Sequence, residues 1–297
     1  MKAPRRKKHH IIPKFLLKGF TDSSGDLWEC SLQHLCSSIK KPAQVAHEMD
    51  FYSFDTIDGK SDAVEIHLSK VENKAAEIIA ALRKTRDLPS IEQWEGLLYF
   101  LALQCFRTRS YRNYLVQITK WHDSRLDHLE KMNLIDGRAL ALERLELEYR
   151  QSSNFLSTFI LEEAKRTAIA LGKRGTMILY GGVDTNLPVA LGDEPFIIED
   201  LRATTRPPDD QFDPFGPDSR LILPLASDMV YVSESLPIES YGLLNDYCVR
   251  AINTTQLNLC HKSLYSSEKD IATFDSNGDD SSFDRYCDYA RRSENKK

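Results

Sequence analysis

Two adjacent imidazoles, His9 and His10, stand directly before the apolar run Ile11-Ile12-Pro13-Lys14-Phe15-Leu16-Leu17-Lys18-Gly19-Phe20. A group that can take a proton or ligate a metal is thus carried on a segment that must bury itself. Docking of that segment would fix His10 against whatever lies beneath, which makes His10 the first candidate as base or metal ligand. Further along, Glu65 and Glu72 lie seven residues apart in a helical pattern, so two turns stack them on one edge. Paired carboxylates of this kind can hold a divalent cation or work as an acid-base pair; equally, they can be a solvated edge paired with Lys70 or Lys74. Gln104 and Arg107 emerge from the end of a helix that is apolar nearly all round. Polar groups there need partners, and Arg107 suits either an anion or the acidic edge of the preceding helix. Asp193 sits in Leu191-Gly192-Asp193-Glu194-Pro195, where β-type runs on both sides hold its carboxylate, although aspartate is also an ordinary turn former. Asn253 interrupts the last long helical pattern, where it either bonds neighbouring backbone or lines a pocket.

The elements that must position these groups follow from periodicity. Pro13 restricts Ile12 to extended geometry and is tolerated in a first turn, so an extended arm enters a short helix at Pro13 and stops at Gly19. Residues Leu27–Leu32 can form a strand, and Phe51-Tyr52-Ser53-Phe54 places aromatics before a glycine loop. Apolar recurrence at Val64, Leu68, Val71, Ala75, Ile78, Ile79 and Leu82 predicts a helix over 62–86. Ser90 with Gln93 forms a capping box for a second, central buried helix through Phe106. A charged helical hairpin is expected from Trp121 to Tyr149, broken at Asn133–Gly137, and then a helix from Phe155 to Leu171. After Gly175 come β runs at Thr176–Tyr180, Leu187–Leu191, Phe196–Ile198, Leu221–Leu223 and Met229–Val232. The excursion Arg202–Arg220 is long enough for a lid, Ser240–Leu264 reads as a closing helix, and the chain beyond Ser266 reads as peripheral. The fold class is α+β: an N-terminal arm with short strands, a helical part at about 62–172, a mostly antiparallel sheet at about 175–265 with its closing helix, and a tail at 266–297.

Composition narrows the function classes. The chain has 297 residues, 41% of them hydrophobic, and a formal net charge of -5, so no global positive field attracts a polyanion, although Arg5-Arg6-Lys7-Lys8 is a local basic cluster. No apolar run approaches the roughly 18 residues that span a bilayer, and the basic start leads into no secretory stretch, so a cytoplasmic location without membrane attachment is expected. Six scattered cysteines form no Cys-x-x-Cys pair and read as reduced thiols. A phosphate-binding lysine loop, a Gly-x-Gly-x-x-Gly turn, a His-Glu-x-x-His helix and a Gly-x-Ser-x-Gly elbow are all missing, which removes the usual supports for those chemistries. Asp275-Ser276-Asn277-Gly278-Asp279-Asp280 superficially suggests a calcium loop, but glycine falls at the fourth position and Tyr286 at the twelfth.

Several of these pieces together resemble the bacterial domain of unknown function 4238. They are His10-Ile11-Ile12-Pro13 with Phe15, Leu16 and Phe20, then Phe51-Tyr52, Glu65 and Glu72, Gln104 with Arg107, Asp193 with Pro195, Leu223-Pro224-Leu225, and Asn253. Where the family often carries Ser-Asp-x-Pro after its strand, this chain has Gly192-Asp193-Glu194-Pro195. The resemblance implies architecture and candidate residues, not an activity. The resulting expectation is a metal-dependent hydrolase of nuclease or phosphodiesterase type on nucleic acid or another anionic substrate. In it His10, Glu72 and Asp193 would hold a divalent cation, Glu65 would add a carboxylate, and Arg107 would steady developing charge, with Gln104 and Asn253 completing the site. The alternative is a binding or sensor module in which the same polar residues form a network that locks the arm. A third possibility is that the basic cluster Arg5–Lys8 docks on nucleic acid or an acidic protein face.

Overall fold

The computed structural model describes residues 8–49, 54–56, 59–61, 63–151, 153–207, 212–235 and 239–294. Arg5–Lys7 of the basic cluster and Phe51-Tyr52 lie outside the described residues.

The arm forms strand β1 (Lys8–His10), turns at Pro13 and continues as helix α1 (Lys14–Lys18). Its apolar face is fully seated: Ile12, Leu16, Leu17 and Phe20 are at most 1% exposed and join the main core. At about 2 kcal/mol per buried side chain this gives a gross anchoring of about 8 kcal/mol, an upper bound that chain entropy offsets. Gly19 ends α1 in ordinary right-handed geometry, φ -65°, and not in the left-handed cap expected of a terminal glycine. The reason is space. A Cβ on Gly19 would stand 2.9 Å from the Leu225 carbonyl oxygen, and the Gly19 carbonyl accepts from Ser227 N–H at 2.9 Å.

Strands β2 (Leu27–Ser31) and β3 (Cys36–Lys40) follow, then a short 3-10 turn at Pro42–Gln44 and β4 (His47–Met49), which pairs antiparallel with β1 so that His10 faces His47. A hairpin of β5 (Phe54–Thr56) and β6 (Gly59–Ser61) leads into the helical part. That part comprises α2 (Ala63–Thr85), α3 (Ile91–Phe106), α4 (Arg109–Lys131), α5 (Gly137–Gln151) and α6 (Ser153–Leu171). The expected capping box opens α3: Ser90 N–H donates to Gln93 Oε1 at 2.8 Å, and Gln93 N–H to Ser90 Oγ at 3.4 Å. α3 is the central helix, with Leu97, Phe100, Leu101, Leu103 and Gln104 each at most 1% exposed. The hairpin helix begins at Arg109, twelve residues before the expected Trp121, because Thr108 caps it by accepting from Tyr111 N–H at 3.2 Å.

The C-terminal part contains β7 (Gly175–Asp184), β8 (Leu191–Gly192), β9 (Ile197–Asp200), β10 (Ser219–Ala226), β11 (Met229–Glu234) and β12 (Glu239–Asn245). α7 (Asp246–Leu259), β13 (Ser263–Ser266), β14 (Ala272–Phe274), β15 (Asp280–Ser282) and α8 (Phe283–Glu294) complete it. One sheet has the order β12-β7-β11-β10-β9 and is antiparallel except for β12 beside β7; a second has the order β3-β2-β13-β8. The architecture is α+β, as the periodicities indicate.

Three details differ from the sequence reading. Ser240–Leu264 is not one helix: Glu239–Asn245 is a strand, Asn245 caps α7 by accepting from Cys248 N–H at 2.8 Å, and β13 follows. Residues 187–190 are not a strand; only Leu191–Gly192 pairs, with β13. The segment after Ser266 carries regular structure, and its Phe283 and Cys287, at most 2% exposed, pack with Cys30, Leu257 and Leu264. In the described part of the Arg202–Arg220 excursion, Arg206 pairs with Asp200 at 2.8 Å and Arg202 with Asp218 at 2.9 Å, which ties it to its own base.

Candidate functional site

The centre of the molecule is a polar clamp on the arm. Gln104 and Arg107 lie three residues apart, on one face at the end of α3. The Gln104 amide Nε2 donates to the Ile11 carbonyl at 3.1 Å. Arg107, only 1% exposed, donates from Nη2 to the His10 carbonyl at 2.8 Å and from Nη1 to Glu72 Oε1 at 2.6 Å. Ile11 N–H donates to the Ala46 carbonyl at 2.9 Å. One guanidinium therefore joins α2, α3 and the arm, and the planar fork of arginine suits a carboxylate and a carbonyl at once. Arg107 meets the acidic edge of α2, where Lys74 instead reaches Glu92 at 3.7 Å.

Beside the clamp lies a cavity of about 850 Å³ between the arm and α2. Lys8, Lys14 and Lys18 border it from the arm; Glu65, Ser69, Glu72 and Asn73 border it from α2, and His10 and Phe15 also line it. Lys8 belongs to the basic cluster already evident in the sequence, whereas Lys14 and Lys18 were not singled out there; their signal is the i, i+4 spacing on the exposed face of α1. The His10 Nε2 is buried without a hydrogen-bond partner among the described residues. Burial, reinforced by Lys14, His47 and Arg107, lowers the His10 pKa from 6.5 to about 4, so the imidazole is neutral at neutral pH. Its ring centroid is 5.7 Å from that of His47.

Asp193 is elsewhere. Its oxygens accept from His261 N–H at 2.8 Å and Lys262 N–H at 3.0 Å, and it lines a separate cleft of about 200 Å³ with Glu29, His47, Arg109 and Tyr265. The two cavities have no lining residue in common. Burial raises the Asp193 pKa against the pull of those two amides. Next to it, Glu194 accepts from Ser110 N–H at 2.9 Å, and Ser110 Oγ lies 2.7 Å from His261 Nε2. This contact was invisible in the sequence. Glu194 Oε1 sits 3.7 Å from that same Nε2, on the nitrogen facing the serine, which is the wrong place for a carboxylate orienting a catalytic base.

Asn253, fully buried, is spent on backbone: Oδ1 accepts from Ala190 N–H at 2.8 Å, and Nδ2 donates to the Pro188 and Ala272 carbonyls at 3.1 and 3.0 Å. One turn on, Gln256 accepts from Gly192 N–H and donates to the Pro195 carbonyl, both at 2.8 Å. A Cβ at Gly192 would stand 2.5 Å from Gln256 Oε1, which accounts for glycine there. α7 thus holds the segment that carries Asp193.

The expected cation ligands do not converge. Glu72 is held by Arg107, and Asp193 lies on the other cavity, its oxygens turned to backbone amides. Among the described residues, no group of three or more His, Cys, Asp or Glu side chains could hold a metal ion. Nor is any described helix long and apolar enough to cross a membrane.

Fold and clamp together define an α+β protein whose N-terminal arm is pinned by side chains of its central helix. The chain matches the family described as Protein of unknown function (DUF4238) over residues 8–270, and it belongs to that family. Neither the curated proteins nor the solved structures contain a match.

Proposed function

We propose that the protein is a binding module for a small anionic ligand, received between the arm and α2, with the buried polar residues as its frame. The observation that carries this reading is a division of labour. Arg107, Gln104 and Asn253 are turned to the chain's own groups, whereas Lys8, Lys14 and Lys18 face an open cavity. Of the two carboxylates on that wall, Glu72 is offset by Arg107, and the three lysines outnumber Glu65, so that end of the cavity is net positive. Calorimetric titration with pyrophosphate at low ionic strength tests the proposal. Lys14 and Lys18 are exposed, and the double substitution Lys14→Ala/Lys18→Ala should weaken binding at least about tenfold, roughly 1.4 kcal/mol, with the fold intact. No heat of binding, or equal affinity in the variant, would overturn it.

A hydrolytic reading draws support from His10 alone: its ring lines the cavity and its Nε2 has no hydrogen-bond partner among the described residues, so it can accept a proton from water or a hydroxyl beside a bound phosphodiester, as a weak base with a pKa of about 4. No step in it runs through a metal, because among the described residues no group of three or more His, Cys, Asp or Glu side chains is placed to hold one. Turnover of a generic phosphodiester that disappears in a folded His10→Gln variant would favour catalysis over binding.

A further inference from the structure

A second cavity, of about 460 Å³, continues from the first and shares Phe15 and Lys18 with it. The α2 residues lining the two are Glu65, Ser69, Glu72 and Asn73, then Ala76, Ile79, Ala80, Arg83 and Lys84. Those positions follow the three-and-four spacing of a single helix face, so the two cavities form one groove along α2. From Glu65 to Lys84 the groove runs about 28 Å at 1.5 Å per residue. Its cations are spaced along it: Lys8, Lys14 and Lys18 on the arm side, and Lys84 at the far end. Arg83, also there, is engaged by Asp228 at 2.8 Å. Between these charges the lining is apolar: half-buried Phe15 and the small side chains of Ala76 and Ala80 offer the surface, backed by Ile79, Leu225 and Ala226, which are themselves buried.

We propose that this groove binds a single-stranded nucleic acid lengthwise, its phosphates on the spaced lysines and its bases on the apolar floor. The inference rests on the anion-binding reading above and specifies its ligand. A lone small anion would use one end only; a strand keeping a stacked rise of about 3.4 Å per nucleotide would lay about eight nucleotides along the groove, and a fully extended one about half as many. Aromatic and apolar platforms bind bases with little regard to sequence, while the lysines make binding salt-dependent.

The test is fluorescence anisotropy of the full chain with labelled oligothymidylates of two, four and eight nucleotides, with pyrophosphate and a linear polyphosphate of eight units as competitors. Affinity should rise at least tenfold from two to eight nucleotides, and the eight-mer should show a log-log salt slope of about -3, from four lysines at about -0.7 each. Lys84→Glu, at an exposed position in the second cavity only, should weaken the eight-mer at least fivefold and leave pyrophosphate binding unchanged. If pyrophosphate binds but affinity is independent of oligonucleotide length, the lengthwise inference fails and the anion site stands. If polyphosphate competes as well as the eight-mer binds, the bases contribute nothing and the nucleic-acid inference fails. If neither pyrophosphate nor oligonucleotide binds, both readings fall.

Discussion

Replacing Arg107 by methionine removes a guanidinium that is 1% exposed and whose partners include Glu72 Oε1 at 2.6 Å and the His10 carbonyl at 2.8 Å. The substitution keeps a similar apolar volume, so the loss reports the polar contacts more than a cavity. Breaking one side of a buried pair costs about 3–5 kcal/mol. The Glu72 side chain is 21% exposed, so water partly rescues its carboxylate and the expected loss lies near the lower limit, about 3 kcal/mol. Urea denaturation measures this directly. The Glu72→Gln change made in the same background should recover part of the loss, with a coupling of about 1–3 kcal/mol in the double-mutant cycle. A second readout separates the clamp from general destabilisation. Trypsin cleaves after lysine, and with its backbone grip gone the arm should be cut at Lys14 or Lys18 under conditions where the wild-type chain is spared. A loss under about 1 kcal/mol together with unchanged protection of the arm would refute the clamp.

Two further expectations concern stability. Burial depresses the folded pKa of His10 to about 4, so between pH 6.5 and 4 the unfolded chain takes the proton more readily and this group removes stability as pH falls through that window. The 2.5-unit span corresponds to about 3 kcal/mol, and screening at a half-buried ring reduces it to about 1–2 kcal/mol. Asp193 and Glu194, whose pKa values burial raises, act with the opposite sign, so the effect is read as wild type minus His10→Gln across pH 4–7 by urea titration; a flat difference contradicts it. Asn253→Ala strands the Ala190 amide and the Pro188 and Ala272 carbonyls, all bonded by one fully buried side chain, and should lower stability by about 3 kcal/mol in the same assay, with less than about 1 kcal/mol refuting a structural role.

What was legible in the sequence was mostly local. The arm, the long helix α2 and the Ser90–Gln93 capping box follow from short-range patterns and match their observed places within a residue or two. The strand Glu239–Asn245 was not legible, because Leu243, Leu244 and Tyr247 mimic helical spacing and only parallel pairing with β7 makes the segment extended. Gln104, Arg107 and Asn253 stood out as polar groups in apolar surroundings, but apart from Glu72 the partners described for them are main-chain groups, most of them in segments 63–97 residues away, and a carbonyl has no sequence signature. Asp193 stood out for its turn; that it opens on another cavity depends on how β8 pairs with β13, a long-range fact. Lys14 and Lys18 escaped notice because exposed charge on a short helix is ordinary until the wall opposite is known.

The most direct test of the whole account is the change in backbone amide resonances on adding pyrophosphate to isotopically labelled protein at low salt. Shifts confined to residues 8–18 and 65–73, with the Ile11 amide still protected from exchange, are the predicted result: an anion seated beside an arm that stays clamped. Shifts centred on Asp193 and His261, or loss of Ile11 protection on binding, would contradict it.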